Sequence, residues 1–263
     1  MYNAGLKRLI ELTQRGERMI GGKIAGPYEL RDCVAVGDSV DYFATGTLIS
    51  EQLVLSAVHV ARRRMPKKVF IGHNLTVAGG GREVEVVSVH AQTGNTLGAD
   101  TPEGLLLLVL KDKVTDIAPR RLPPQPMPAS YPWENTDPGL QLLRIAGFGA
   151  TSADGLAGFG IKRLAEVPTA GRLPDVYGFD PASEFAAGFD DLGIDSCSGD
   201  SGGPAMVYMP SEQDWFLVGC TSRSTKSASD DVCGDGGVYL RADTQIARDW
   251  ISTVATANQV KFP

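Results

Sequence analysis

The amino-acid sequence predicts an all-β protein. Thirty-one glycines and sixteen prolines are spread through the 263 residues, and short apolar runs lie between them. This pattern is typical of many short strands joined by tight turns. Hydrophobic residues make up 43% of the chain and charged residues 21%, which are ordinary values for a protein with a sizeable buried core. The length suits one compact body of one or two lobes.

The apolar runs fall into two blocks, about 19–121 and about 133–263. The runs are DCVAV, DYFATGTLIS, LVLSAVHV, KVFIG, EVEVVSVH and LLLLVL in the first block, and LLRIAGFG, KRLAEV, PAMVYM, FLVGC and GVYLRAD in the second. Between the blocks lies a proline-rich stretch at 122–132. Because proline has no N–H to donate to a β-ladder, this stretch is interpreted as a linker between two lobes of one domain, 19–263.

Helical spacing of apolar residues occurs in two windows, one near each end of the chain. The first window, 4–18, lies in a separate N-terminal segment of residues 1–18. The second, 244–258, predicts a C-terminal helix. The residues on its apolar face are Ile246, Trp250, Ile251 and Val254.

Charge and hydropathy exclude two classes of partner. The net charge of −6 gives no basic field for nucleic acid. The longest apolar run, Leu105–Leu110, is far shorter than the roughly 18 residues needed to cross a membrane. The N-terminus lacks the apolar core of a signal peptide, which predicts a cytoplasmic protein; the alternative is a secreted protein whose signal is absent from this chain. The four cysteines lack metal-site spacing, so neither a metal nor a cofactor is expected.

The strongest motif is DSCSGDSGGP, which runs from Asp195 to Pro204. Glycines around Ser201 place this serine on a turn where side chains do not crowd a substrate. The N–H groups of Gly199 and Ser201 could then stabilise an oxyanion in acyl transfer, an effect of about 3–4 kcal/mol per donor. The alternative is a Gly- and Ser-rich turn without a function, and the length of the motif favours a nucleophile.

This motif resembles the nucleophile segment of the trypsin and chymotrypsin peptidases. LVLSAVHV at 53–60 resembles the strand of that family that ends in the catalytic histidine, here His59. The resemblance implies two six-stranded antiparallel β-barrels with a C-terminal helix and a cleft between the barrels. It also implies a serine endopeptidase that acts on proteins or peptides through an acyl-enzyme, with Ser201 as nucleophile and His59 as general base.

The third catalytic residue is open between two carboxylates. The family places an aspartate directly before the strand that corresponds to Leu105–Leu110, but Gly104 stands in that register here. Asp100 keeps the residue type and requires a local insertion, whereas Glu103 requires a one-residue shift and a longer side chain. The role is to fix the imidazole tautomer, and we expect Asp100 to fill it. The uncertain register also leaves an alternative function, a peptidase-like protein that binds peptides or protein partners without turnover.

The resemblance also implies a substrate preference. Asp195 lies six residues before Ser201, where trypsin-like enzymes carry the acid at the floor of the primary pocket. A substrate Arg or Lys would supply the charge that such an acid lacks. Gly237 is expected to keep one pocket wall open, and Ser222 to replace a wall glycine and narrow the entrance.

Two further features follow from the resemblance. Arg18-Met-Ile-Gly-Gly22 resembles an activation junction, at which an activating protein would cut and free Met19 to pair with Asp200. The full chain would then be a zymogen and residues 1–18 a propeptide. The expected disulfide pair is Cys197 and Cys233, while Cys33 and Cys220 are interpreted as small buried apolar residues.

Overall fold

A computed structural model describes residues 22–92, 103–128, 142–152, 157–169, 179–188, 195–225, 233–234 and 236–262. The predicted N-terminal helix, Arg18, Met19 and Asp100 lie outside these ranges. In the described part, most residues with regular structure belong to strands, as the composition predicts. No helix in these ranges has both the length and the apolar character that a bilayer crossing requires.

The first lobe is a closed six-stranded antiparallel barrel. Its strands are β2 (Cys33–Gly37), β3 (Tyr42–Ser50), β4 (Leu53–Ala57), β5 (Lys68–Gly72), β6 (Gly81–Ala91) and β7 (Leu105–Leu110). The strand order is β2-β3-β4-β7-β6-β5, and β5 pairs back onto β2. All six residues of β7 are buried, so the continuous apolar run LLLLVL fits a strand that is covered on both faces.

The second lobe is built on a seven-stranded antiparallel sheet. Its strands are β1 (Lys23–Ile24), β8 (Leu142–Gly147), β9 (Arg163–Pro168), β10 (Glu184–Ala187), β11 (Pro204–Met209), β12 (Asp214–Ser224) and β13 (Gly237–Arg241). The order is β1-β9-β8-β11-β12-β13-β10. An isolated bridge between Thr169 and Ala187 joins the end of β9 to β10, so strands β8–β13 come round to meet as a second barrel. β1 falls in the range expected for the first barrel but pairs with β9.

Two helices accompany the barrels. The one-turn helix α1 (Val60–Arg63) follows His59 directly, and α2 (Gln245–Ala257) ends the fold. The predicted face of α2 is partly wrong, because Ile246 is 77% exposed. The buried stripe consists of Ala247, Ile251, Val254 and Ala255. Ile246 lies about 100° around the helix from Ala247, which takes it off that stripe.

A buried ion pair ties the two lobes together. Arg120 follows the first barrel, and its guanidinium contacts Asp32 at 2.7 Å and 2.9 Å in a two-pronged pair. The same guanidinium donates to the carbonyl of Trp215 on β12 at 3.0 Å. Only 5% of the Asp32 side chain and 16% of the Arg120 side chain are exposed. Asp214 lies 4.0 Å from the same guanidinium but is 44% exposed, so removal of Asp32 leaves Arg120 with only a distant, solvent-screened counter-charge.

We expect Asp32→Ala to lower the free energy of unfolding by about 3–5 kcal/mol, because Arg120 loses its counter-charge inside the protein. Urea-induced unfolding in a Ser201→Ala background, which prevents self-digestion, measures this change. The matched control is Glu85→Ala, which removes an exposed pair with Lys111 and should leave the midpoint nearly unchanged. Equal midpoints for the two variants would contradict the prediction.

Candidate active site

His59 is held at the point where a strand becomes a helix. β4 ends at Ala57, which pairs with Leu105 at the start of β7. Val58 then donates its backbone N–H to the carbonyl of Gly104 at 2.8 Å. These contacts fix the backbone before His59 directly beside the segment that leads into β7. The imidazole of His59 is 23% exposed, so it lies at the edge of the core and faces the cleft.

Glu103 is the carboxylate that contacts this imidazole. Its Oε1 lies 3.0 Å from His59 Nδ1, and its Oε2 lies 3.0 Å from a terminal nitrogen of Arg62. Burial raises the pKa of Glu103, but the hydrogen bond and charge of His59 and the charge of Arg62 outweigh it, so the net pKa is lowered. An ionised carboxylate therefore faces Nδ1. Sequence reasoning preferred Asp100, which lies outside the described residues.

Ser201 sits on a loop whose shape requires glycine. Gly199 has a φ of +96°, and a Cβ there would lie 2.6 Å from the Phe159 ring. Gly202 has a φ of +80°, and a Cβ there would lie 1.9 Å from Ser56 Oγ. Side chains are strained in this left-handed region and blocked by these contacts. The glycine spacing of the motif is therefore a consequence of the loop geometry.

The cleft brings the two predicted catalytic side chains together. His59 of the first barrel and Ser201 of the second lobe line one surface pocket of about 200 Å³. The other residues of its lining are Phe43, Ala44, Val60 and Arg64. The pocket is therefore lined by both a hydroxyl and an imidazole, the two group types that acyl transfer through a serine uses.

Asp200 is buried beneath the loop that carries Ser201. It is 1% exposed, and its two oxygens accept the backbone N–H groups of Gly149 and Cys197 at 2.8 Å and 2.9 Å. Burial raises the pKa of Asp200 to about 6, although these two hydrogen bonds and the charge of Arg163 lower it. The close approach depends on glycine, because a Cβ on Gly149 would lie 2.6 Å from this carboxylate.

Asp195 is buried beside β13 of the second lobe. It is 3% exposed, and its Oδ1 accepts hydroxyl hydrogen bonds from Tyr239 at 3.1 Å and Ser196 at 3.3 Å. Burial raises the pKa of Asp195 to about 7, although these hydrogen bonds lower it. A Cβ on Gly237 would lie 3.1 Å from the same oxygen, so a larger residue at this position would crowd the carboxyl.

Comparison with known proteins agrees with this geometry. A family model described as Trypsin matches residues 19–251. The chain belongs to the trypsin family. Trypsin-4 of Rattus norvegicus is 30% identical over 198 residues, which cover 72% of this chain and 75% of the relative. Trypsin 5G1 of Aedes aegypti is 29% identical over 258 residues, 89% of this chain and 85% of the relative.

A third relative is described as a thrombin-like enzyme rather than a trypsin. The thrombin-like enzyme bhalternin of Bothrops alternatus is 29% identical over 217 residues, which cover 78% of each chain. Family membership makes this chain a trypsin-like serine endopeptidase, a hydrolase that acts on protein or peptide substrates. The fold expected from the sequence motifs is confirmed.

This trypsin-family chain contains the expected disulfide. Cys197 and Cys233 are bonded, with Cα atoms 5.0 Å apart. Cys33 and Cys220 are free and buried, as predicted. Burial raises the pKa of the Cys33 thiol to about 12 and that of Cys220 further still. Neither thiol therefore forms the reactive thiolate at neutral pH.

Two residues that contact the predicted site residues were missed by the sequence analysis. Tyr239 donates its hydroxyl hydrogen bond to Asp195, and Arg62 contacts Glu103. The position of Arg62, three residues after His59, was a signal that both side chains lie on one side of a helical turn. Ser222, the predicted replacement for a wall glycine, is 7% exposed, and its Oγ has no hydrogen-bond partner within the described residues. A β-bulge between Thr221 and Arg223 leaves Ser222 out of the register of β12 with β13, in which Ser224 lies opposite Gly237.

Proposed function

We propose that this trypsin-family enzyme cuts peptide bonds after Arg or Lys, with Ser201 as nucleophile and His59 as general base. The observation that carries the proposal is the pocket in which Ser201 meets an imidazole whose Nδ1 faces an ionised carboxylate. A histidine needs this arrangement to act as a base, because a carboxylate at Nδ1 holds the proton there and leaves Nε2 free to accept one.

The proposed reaction has two halves. In the first, Ser201 Oγ attacks the scissile carbonyl while His59 Nε2 takes the hydroxyl proton, and the imidazolium then gives that proton to the leaving amine. In the second, His59 takes a proton from water, which attacks the acyl ester, and returns it to Ser201. Glu103 stabilises the imidazolium in both halves. The N–H groups of Gly199 and Ser201 would stabilise the oxyanion, which the positive φ of Gly199 supports.

Ser201→Ala should abolish hydrolysis of small Arg esters and amides and covalent labelling by a fluorophosphonate, because only the nucleophile is removed. Circular dichroism should show an unchanged fold. Activity near that of the wild type would contradict the assignment. The alternative function, a peptide-binding protein without turnover, predicts that even the wild-type enzyme is not labelled.

Glu103 rather than Asp100 is now our candidate for the third catalytic residue. The support is the 3.0 Å contact with His59 Nδ1 and the lowered pKa of Glu103, which keeps it ionised. Compared with aspartate, the glutamate side chain has one more methylene group. This added length compensates for its position one residue before Gly104, where the family places its aspartate.

We expect Glu103→Ala to lower kcat by about 10³–10⁴-fold, since the imidazole loses its tautomer-fixing partner. Asp100→Ala serves as the matched control and should change kcat only a few-fold. Parallel assays of the two variants with one Arg ester measure both effects. The reverse ranking would assign the role to Asp100.

The preference for Arg and Lys is proposed from the burial of Asp195. A desolvated carboxyl is unstable as an anion, and a substrate guanidinium or ammonium group that enters the pocket supplies the missing charge. Because the pKa of Asp195 is raised to about 7 in the free enzyme, a cation must displace a proton when it binds below that pH.

Benzamidine should bind more tightly as the pH rises, with the dissociation constant falling up to about tenfold per unit below pH 7 and levelling off above it. Asp195→Ser should remove this dependence and lower kcat/KM for Arg and Lys sites while Ser201 labelling persists. Titration calorimetry and a peptide-library digest measure the two effects. A cleavage profile dominated by Phe, Leu or Ala would overturn the assigned preference.

Zymogen activation is proposed for the junction at Arg18. The support is Asp200, whose buried carboxyl accepts two amide N–H groups and would gain a counter-charge from a freed Met19 amino group. Such an ion pair would stabilise the loop of Gly199 and Ser201. Arg18 matches the proposed specificity of this enzyme, so either another peptidase or a second copy of the chain fits as the activating protein.

Arg18→Gln should remain uncut and hydrolyse an Arg ester at least about tenfold more slowly than processed wild type, because Asp200 then lacks its cation and the loop relaxes. N-terminal sequencing of both proteins establishes the processing state. Equal rates for the uncut variant and processed wild type would exclude activation at this junction.

Secretion, rather than the cytoplasmic setting expected from the sequence, is proposed for this enzyme. The Cys197–Cys233 disulfide supports it, because such bonds form and persist in oxidising compartments.

A further inference from the structure

We propose that Arg62 is a positioning residue, which holds the Glu103 carboxylate in place and partly neutralises its negative charge. The inference rests on the proposed function, because Arg62 is not among the residues that line the pocket and is proposed to act on His59 through Glu103. The contact that motivates it joins Arg62 to Glu103 Oε2 at 3.0 Å.

His59 and Arg62 reach Glu103 from a single turn of helix. The N–H of Arg62 donates to the carbonyl of His59 at 3.2 Å, so the two residues are three positions apart on one helical turn. The two carboxylate oxygens are thereby divided, with Oε1 on the imidazole and Oε2 on the guanidinium. A carboxylate that is held at both oxygens cannot rotate away from Nδ1.

A glutamate needs this second contact more than an aspartate would. Glutamate has one more rotatable side-chain bond, so more conformational freedom is lost when its carboxylate is fixed. Catalysis requires the carboxylate, imidazole and hydroxyl to be aligned closely. The exposed fractions of Glu103 and Arg62 are 21% and 25%, so solvent screens their contact only in part.

Arg62 also reduces the attraction between the Glu103 carboxylate and a positively charged His59. Among the described residues, His59 and Arg62 from the α1 side influence the charge of the carboxylate, and Arg223 of β12 feels the charge of Glu103 through space. Arg223 is already paired with Glu184 of β10, at 2.8 Å for one of the contacts. Arg62 is therefore the cation that competes with the imidazolium for Glu103. Its removal should make protonation of the imidazole easier.

The test compares Arg62→Gln, which loses the charge, with Arg62→Lys, which keeps it, both in the processed enzyme. For Arg62→Gln we expect a kcat about tenfold lower, a KM within about twofold, and an acid limb of the kcat/KM profile about half a pH unit higher. Arg62→Lys should restore the acid limb and part of kcat. Arg62→Met is the second neutral variant if Arg62→Gln does not fold, and Arg82→Met, on an exposed arginine of β6, is the matched control.

A double-mutant cycle decides whether Arg62 acts through Glu103. In a Glu103→Ala background, the loss caused by Arg62→Gln should shrink to less than about twofold or reverse. The inference would be overturned by an equal loss of kcat in both backgrounds, by a change in KM alone, or by an unchanged acid limb of the pH profile. In each of these cases, labelling of Ser201 would still support the proposed function. Absence of Ser201 labelling in the wild type would overturn both.

Discussion

The active site depends on the hydrogen bonds that Thr45 makes across the two lobes. His59 belongs to the first barrel and Ser201 to the second lobe, so their alignment is only as good as the contact between the lobes. Thr45 on β3 donates its backbone N–H to the carbonyl of Ser201 at 2.9 Å and its hydroxyl to that of Gly199 at 2.8 Å. Each bond contributes only about 1 kcal/mol. Their larger effect is positional, because a displacement of about 1 Å can reduce turnover about a hundredfold.

The loop that Thr45 holds is unfavourable by itself. Gly199 and Gly202 adopt left-handed φ values, and Asp200 between them buries a carboxyl whose pKa is raised to about 6. Neither feature stabilises the fold, and each persists because neighbouring contacts determine the loop shape. The two N–H groups that hydrogen-bond to Asp200 come from Gly149, just after β8, and from Cys197, in the loop itself. The carboxylate therefore organises the backbone around Ser201 at the expense of stability.

The sequence predicts the barrels well and leaves the third catalytic residue open, for one physical reason. Strands such as β5 and β7 are buried runs of β-branched and large apolar residues, which the local sequence specifies. β10 was missed because its residues, EFAA, have weak strand preference and are ordered by pairing with β13. The contact of Glu103 with His59 likewise depends on tertiary register, set by the hydrogen bond from Val58 to Gly104, and on the reach of the glutamate side chain. Local sequence contains neither.

The cysteine pattern follows from where strand pairing already restrains the chain. Ala44 lies on β3 and Val60 follows β4, and a disulfide between these two positions would close a loop of about 15 residues and contribute about 3 kcal/mol. Here the pairing of β3 with β4 joins those segments, and both residues are buried apolar side chains. Cys197 and Cys233 both lie outside strands, one before Ser201 and the other before β13. The disulfide thus links the segment that leads to Ser201 with the segment that precedes β13.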